Sequence, residues 1–207
     1  MATTAKDIRG TKTERCLVAA YVSESTAYSR YTFYAQKADK EQYFPIGQIF
    51  RETADNELHH AKIFFKFLQG GSVNVDLDVD SGIIGDTATN LKISIEEERA
   101  EGYEQYLASA KIADEEGFPE IADHFRAIAK VEESHRRRFE LYLKQVEEGT
   151  VWKREKPIKW KCLVCGYIYE GTTPPEPTCP ACDHPYQHYM ALDIALDRYS
   201  IDNRITY

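Results

Sequence analysis

Four segments within the first 150 residues each place a glutamate in the middle of an otherwise apolar helical stripe, and few folds accommodate that pattern. The first stripe is Leu17, Tyr21, Glu24, Tyr28 and Tyr31. The second is Phe50, Thr53, Glu57, His60, Phe64 and Phe67, and the fourth is Ile121, Phe125, Ile128, Glu132, His135, Phe139 and Tyr142. The third carries Leu91, Ile95, Glu98, Glu101 and Tyr106. Glu57 and His60, Glu132 and His135, and Glu98 and Glu101 are each three residues apart. On an α-helix that offset turns the second side chain only about 60° from the first and raises it about 4.5 Å, so both reach one interior point. Five carboxylates and two imidazoles then meet in a helical core. Buried and unpaired, five such charges would outweigh the roughly 5–15 kcal/mol by which a domain is stable. They must be protonated, hydrogen-bonded to one another or bound to cations. Two divalent cations offset most of five negative charges, and mixed carboxylate and imidazole ligation suits iron or manganese.

A single Glu-x-x-His on a helix is ordinarily a solvated face; two of them, a Glu-x-x-Glu and a lone glutamate, each centred in an apolar stripe, are not. His59 and Glu133 fall one position off the stripes and read as partners of ligands or as exposed groups. Tyr31 and Tyr106 are placed either to hydrogen-bond the ligands or simply to fill the core. Cys16 reads as a packed thiol without chemistry.

Punctuation sets the element boundaries. Thr11 and Glu14 form a capping box ahead of a helix to Lys40. Pro45 opens the second helix, which closes at Gly70-Gly71. The third runs from Asp86 or Thr87 to before Gly117, and the fourth from Pro119 to before Gly149. Residues 72–87 lack helical periodicity and are long enough to cross the end of a bundle. One long and two short connections predict an all-α four-helix bundle with a single crossover over residues 1–149. A linker over 150–158 leads to a small domain over 159–207, too small to fold without a staple, whose tail from about Asp193 either docks or frays.

The staple is read from Cys162-Leu163-Val164-Cys165 and Cys179-Pro180-Ala181-Cys182, two C-x-x-C turns that direct four thiolates to one ion. Zinc and a single iron share this spacing, and a structural zinc is the plainer alternative. Five cysteines in a chain of 207 residues are too few for a disulfide framework. Acidic residues exceed basic ones 34 to 26, which argues against a nucleic-acid or anionic-membrane partner. The polar start Met1-Ala2-Thr3-Thr4 and the lack of any long apolar run predict a cytoplasmic protein that does not cross a membrane.

Taken together, these residues resemble the rubrerythrin family over nearly the whole chain. The matching stretches are Ser23-Glu24-Ser25 with Arg30-Tyr31, Glu52 to Lys62, Gly82-Ile83-Ile84 through Asn90-Leu91, Glu98-x-x-Glu101, Glu132-Glu133-Ser134-His135 and the two cysteine turns. The resemblance implies a ferritin-like bundle with a di-iron centre, followed by a rubredoxin-like domain with one iron on four cysteines. It implies that Glu57 and Glu132 bridge the irons, that Glu24 is terminal on one, and that Glu98 and His135 are terminal on the other. Glu101 and His60 are then alternative ligands of the first iron. The implied activity is reduction of hydrogen peroxide to water in oxidative-stress defence, with Glu57, Glu132, Glu101, His60, Tyr31 and Tyr106 at the reacting centre. Electrons come through the rubredoxin-type iron from an unidentified reductase or rubredoxin, and the family habit is a head-to-tail homodimer. Ferroxidase or iron storage of the ferritin kind, and a metal-binding module with structural zinc, are the rivals. Against the family pattern, the stretch between the cysteine turns is short and the tail after Tyr189 is long.

Overall fold

A computed structural model of the chain describes residues 6–79 and 82–193, with the side chain of Glu101 outside the described set. The expected roles of Glu101 and of the tail beyond Asp193 therefore lie outside the described residues. The helices are α1 (Lys12–Lys40), α2 (Phe44–Phe67), α3 (Thr87–Glu97), a π-helical segment (Glu98–Glu104), α4 (Gln105–Glu115) and α5 (Pro119–Glu148). Thr11 Oγ1 accepts from the Glu14 amide at 3.0 Å, while Glu14 Oε2 accepts from the Gly10 amide at 2.7 Å. Donors at the start of α1 are thereby satisfied from both directions. Asp86 caps α3 through the Thr89 amide, and Gly149, left-handed at φ 66°, ends α5.

α1 and α2 form one hairpin and α3 through α5 the other, with the crossover between them. The apolar core falls into two clusters. One gathers Leu17, Ala20, Phe64, Tyr106, Phe125 and Ile128; the other gathers Tyr31, Tyr34, Phe50, Leu91, Phe139 and Tyr142. The glutamate stripe separates them, so the carboxylates sit on a polar layer clamped between two hydrophobic ones. In α1 the inward line runs through Leu17, Ala20, Glu24, Tyr31, Tyr34 and Ala38, all buried. Tyr21 and Tyr28, read from the sequence as part of that stripe, lie on its exposed edge because alanines take the inward positions beside them. Tyr21 packs instead on Phe65, ring centroids 5.4 Å apart.

The small module is a three-stranded antiparallel sheet, order β2-β1-β3, made of β1 (Ile158–Cys162), β2 (Ile168–Gly171) and β3 (Tyr189–Ala191). Trp160 is fully buried, its indole donating to Gly171 O at 2.9 Å. This sheet continues the second apolar cluster rather than forming its own core. Phe44 stacks on His188 at 3.7 Å, and Tyr43 on Trp152 at 5.6 Å. Val151 is buried and Arg154 pairs with Asp193 at 2.7 Å, so residues between the bundle and the sheet are packed rather than free. Among the described residues no helix is long and apolar enough to cross a membrane.

Candidate metal centres

Two groups of side chains converge at the middle of the bundle. Glu24, Glu57, His60 and Glu132 offer ligand atoms all within 4.8 Å of one another; so do Glu57, Glu98, Glu132 and His135. Glu57 and Glu132, from α2 and α5, belong to both groups, which gives the arrangement the form of a candidate two-ion site with a shared pair of carboxylates. Glu24 and Glu98 flank it, supplied by α1 and by the first residue of the π segment.

The polar atoms point at common interior points more than at each other. Both oxygens of Glu57, Oε1 of Glu132 and Nδ1 of His60 are buried without a well-angled hydrogen bond, although His60 Nδ1 lies 2.9 Å from Glu57 and 3.0 Å from Glu132. Orphaned buried acceptors of this kind are costly unless a cation completes them. The electrostatics agree. Burial, then the charges of Glu132 and Glu57, pushes the Glu24 carboxyl well above its usual range. Burial likewise lifts Glu98 to about 7. Burial opposes charge on His60, but Glu132 and Glu57 win and hold it up at about 9. Without a cation, protons on the imidazoles and outer carboxyls neutralise the cluster. Oxygen and imidazole donors in this number fit two first-row divalent ions.

Each outer carboxylate receives a tyrosine from across the bundle: Tyr106 donates to Glu24 and Tyr31 to Glu98, both at 2.6 Å. The pairing is crossed, since Tyr31 shares α1 with Glu24. Burial and the adjacent carboxylates push both phenols far up, so they remain protonated donors. His135 presents Nδ1 to Glu57, Glu98 and Glu132, while its Nε2 lies 3.2 Å from Asn56 Oδ1. An Nε2–H donated to Asn56 leaves Nδ1 with the lone pair a metal requires. His60 has no such anchor among the described residues. Gly102 meets Glu132 where a Cβ would come within 2.7 Å of Glu132 Cγ, so only glycine lets the π segment pass that close. Asn56 and Gly102 went unseen in the stripe pattern, Asn56 because it sits one position off the stripe beside Glu57 and Gly102 because absent side chains have no periodicity. Of the flanking pair, His59 is exposed beside Asp55, and Glu133 is held at about 2 by Arg136 and Arg137.

The four cysteine sulfurs form a second group, also within 4.8 Å of one another. Cys162 and Cys182 are 3.8 Å apart and Cys165 and Cys179 are 3.7 Å apart. A tetrahedron with bonds of about 2.3 Å has edges of about 3.8 Å, so the sulfurs stand ready for one ion. The two turns are built alike: Cys162 N bonds to Tyr167 O at 2.9 Å, and Cys179 N to His184 O at 2.8 Å. The left-handed residue is Gly166 in the first and Asp183, at φ 57°, in the second.

The family model described as Rubrerythrin matches residues 15–143 and 89–162, and that described as Rubrerythrin, rubredoxin-like domain matches 160–190. The chain belongs to the rubrerythrin family. It is 47% identical to the rubrerythrin of Porphyromonas gingivalis over 187 residues, 90% of this chain and 93% of that one. It is 44% identical to the rubrerythrin of Nitratidesulfovibrio vulgaris over 189 residues, covering 91% and 98%. Among solved structures, fully reduced nigerythrin matches with TM-score 0.59 at 25% identity, covering 92% of this chain and 91% of that one. A bacterioferritin of Mycobacterium tuberculosis shares the bundle, with TM-score 0.60 at 18% identity over 70% and 90% of the two chains. The rubrerythrin assignment accounts for both halves at once: a ferritin-like helical domain carrying the carboxylate site, and a rubredoxin-like domain carrying the cysteine site.

Proposed function

We propose that this rubrerythrin-family chain is a hydrogen-peroxide reductase that holds two irons on Glu24, Glu57, His60, Glu98, Glu101, Glu132 and His135 and a third on Cys162, Cys165, Cys179 and Cys182. The observation that carries the reading is the pair of ligand groups sharing Glu57 and Glu132 in a chain that also bears a four-sulfur site. Held on these residues, a ferrous pair would supply the two electrons that reductive cleavage of an O–O bond requires, with no need to release a one-electron oxygen radical.

The protein's own part is to exclude water and deliver protons. Glu24, Glu57, Glu98, Glu132 and His135 are all buried, while His60 keeps a small exposure. Tyr106 on Glu24 and Tyr31 on Glu98 hold protons at hydrogen-bond distance from the two outer carboxylates. His135, tied to Asn56, stays in place. His60, with no protein partner on Nε2 among the described residues, is the ligand free to give way to Glu101. Replacing Glu101 by alanine leaves both irons bound and slows peroxide turnover; unchanged kinetics would remove it from the mechanism.

Cys165 is the exposed member of the sulfur group, flanked by the exposed Val164, Tyr167 and Ile168, and it is where an external reductase or rubredoxin delivers electrons. Phe44, where the small domain rests, precedes Glu57 by thirteen residues of α2, about 20 Å along the axis. Tunnelling falls steeply over such a span, so a homodimer that brings one chain's cysteine site to its partner's bundle is the working unit. Stopped-flow mixing of the reduced protein with hydrogen peroxide and with dioxygen tests the reaction. Faster reoxidation by peroxide supports it; faster reoxidation by dioxygen with accumulation of mineral would make the chain a ferroxidase.

A further inference from the structure

Beside the metal layer lies a second, larger hollow. A solvent-open cleft of about 290 Å³ runs between α1, the π segment with the start of α4, and residues 76–79 of the crossover, with Cys16, Ala19, Val22, Leu77 and Val79 among its walls. Ser23, Arg30 and Tyr106 form its inner end, and the same three residues border a void of about 30 Å³ among Glu24, Glu57, Glu98 and Glu132. The two volumes suit different occupants. A water-sized group needs about 10–15 Å³ measured this way, so the inner void has room for the ions its carboxylates would hold and for no organic group. An apolar cavity of about 150 Å³ takes a benzene ring, so the cleft is far larger than hydrogen peroxide requires.

We propose that the cleft is a subsite for the organic group of small, neutral alkyl hydroperoxides. This rests on the peroxide-reducing reading of the metal site and extends its substrate class. The hydroperoxide group points past Ser23, Arg30 and Tyr106 toward the carboxylate site, and the alkyl group stays against Ala19, Val22 and Leu77. Arg30 is held by its ion pair with the half-buried Glu97, which fixes the neck. Exposed Asp76 and Asp78 at the mouth disfavour hydroperoxides that carry a carboxylate, such as those of fatty acids. The reaction balances as ROOH + 2 e⁻ + 2 H⁺ giving ROH and H₂O: the O–O bond breaks and no bond to carbon changes. Both electrons come from the ferrous pair, and the alcohol leaves by the cleft.

The test uses tert-butyl hydroperoxide beside hydrogen peroxide, mixed with the prereduced full-length protein and its Ala19→Phe variant. The wild-type protein is reoxidised by tert-butyl hydroperoxide within about tenfold of the hydrogen-peroxide rate. In the variant the ratio of the alkyl to the hydrogen-peroxide rate falls at least about tenfold, with circular dichroism and metal content showing that the fold is kept. Independently of turnover, tert-butanol shifts the methyl resonances of Val22, Leu77 and Val79 in the metal-free protein, and the variant loses those shifts. Rapid reaction with hydrogen peroxide but none with tert-butyl hydroperoxide, or a ratio unmoved by Ala19→Phe, would overturn the subsite and leave the peroxidase reading standing. Failure of hydrogen peroxide itself would overturn that reading and the subsite with it.

Discussion

Asn56 and Gly102 set the geometry of the bundle site without contributing a ligand. The Asn56 carboxamide fixes which nitrogen of His135 faces the carboxylates, and groups of this kind typically govern metal affinity by about 10–100-fold. Asn56→Leu is therefore expected to weaken binding of one metal equivalent by about that factor while Asn56→Asp, which keeps an acceptor, retains it; metal titration followed by absorbance distinguishes the two. At Gly102 a methyl group would collide with the aliphatic stem of Glu132. Gly102→Ala should cost about 1–3 kcal/mol of thermal stability and lower the metal stoichiometry, because the shared carboxylate must shift. The glutamates and histidines of the layer were legible in the sequence because a charge inside an apolar stripe contradicts its surroundings. Asn56 and Gly102 contradict nothing locally, and their purpose exists only once α5 is packed beside them.

At the scale of the element, the π segment is what the sequence reading missed. Periodicity read helix three as continuous α-helix and set Glu98 and Glu101 by α-helical rise. In α1 the glutamate and the tyrosine of the stripe, Glu24 and Tyr31, are seven residues apart, two turns of α-helix. Their counterparts Glu98 and Tyr106 are eight apart, and the π turn over Glu98–Glu104 absorbs the extra residue so that Tyr106 still faces Glu24. The boundaries at Asp86, Pro119 and Gly149 were legible from capping chemistry, which acts within one turn. A π turn depends on which residues must face α1 and α5, and no local signal announces it. Deleting the exposed Ala100 should restore regular α-helix and turn either Glu98 or Tyr106 out of the site. Far-ultraviolet circular dichroism would stay helical while the bundle loses at least one metal equivalent; full metal content in that deletion would show the π turn to be dispensable.

Across the whole molecule, the charge balance reads differently once the fold is known. Of the 34 acidic residues, Glu24, Glu57, Glu98 and Glu132 lie buried in one layer, so part of the formal charge of −8 never faces solvent. Stability without metal must then depend on protons. Glu98, raised from 4.5 to about 7, and His60, raised from 6.5 to about 9, both bind protons more tightly in the folded chain. Their contribution is fully present below the unfolded values and is lost as pH climbs through 7 and then 9. Burial and the Glu57 charge oppose ionisation of Glu132, but the two histidines outweigh them and lower it, so it acts the other way and only toward acid. Metal-free protein should therefore melt several degrees lower at pH 9 than at pH 6. The metal-loaded protein should show no such fall, because metal ions take up the role of those protons. A metal-free melting curve that rises over this interval would mean that the carboxylate layer is not built around positive charge.

The proposed coupling of a two-iron carboxylate site to a one-iron cysteine site in one chain implies a fixed metal inventory. Metal analysis with Mössbauer spectroscopy of the iron-reconstituted, full-length protein addresses it in one sample. Three irons per chain are predicted, one with the parameters of a four-sulfur site and two as an exchange-coupled oxygen- and nitrogen-ligated pair. Zinc on the cysteines, or a single uncoupled iron in the bundle, would contradict it.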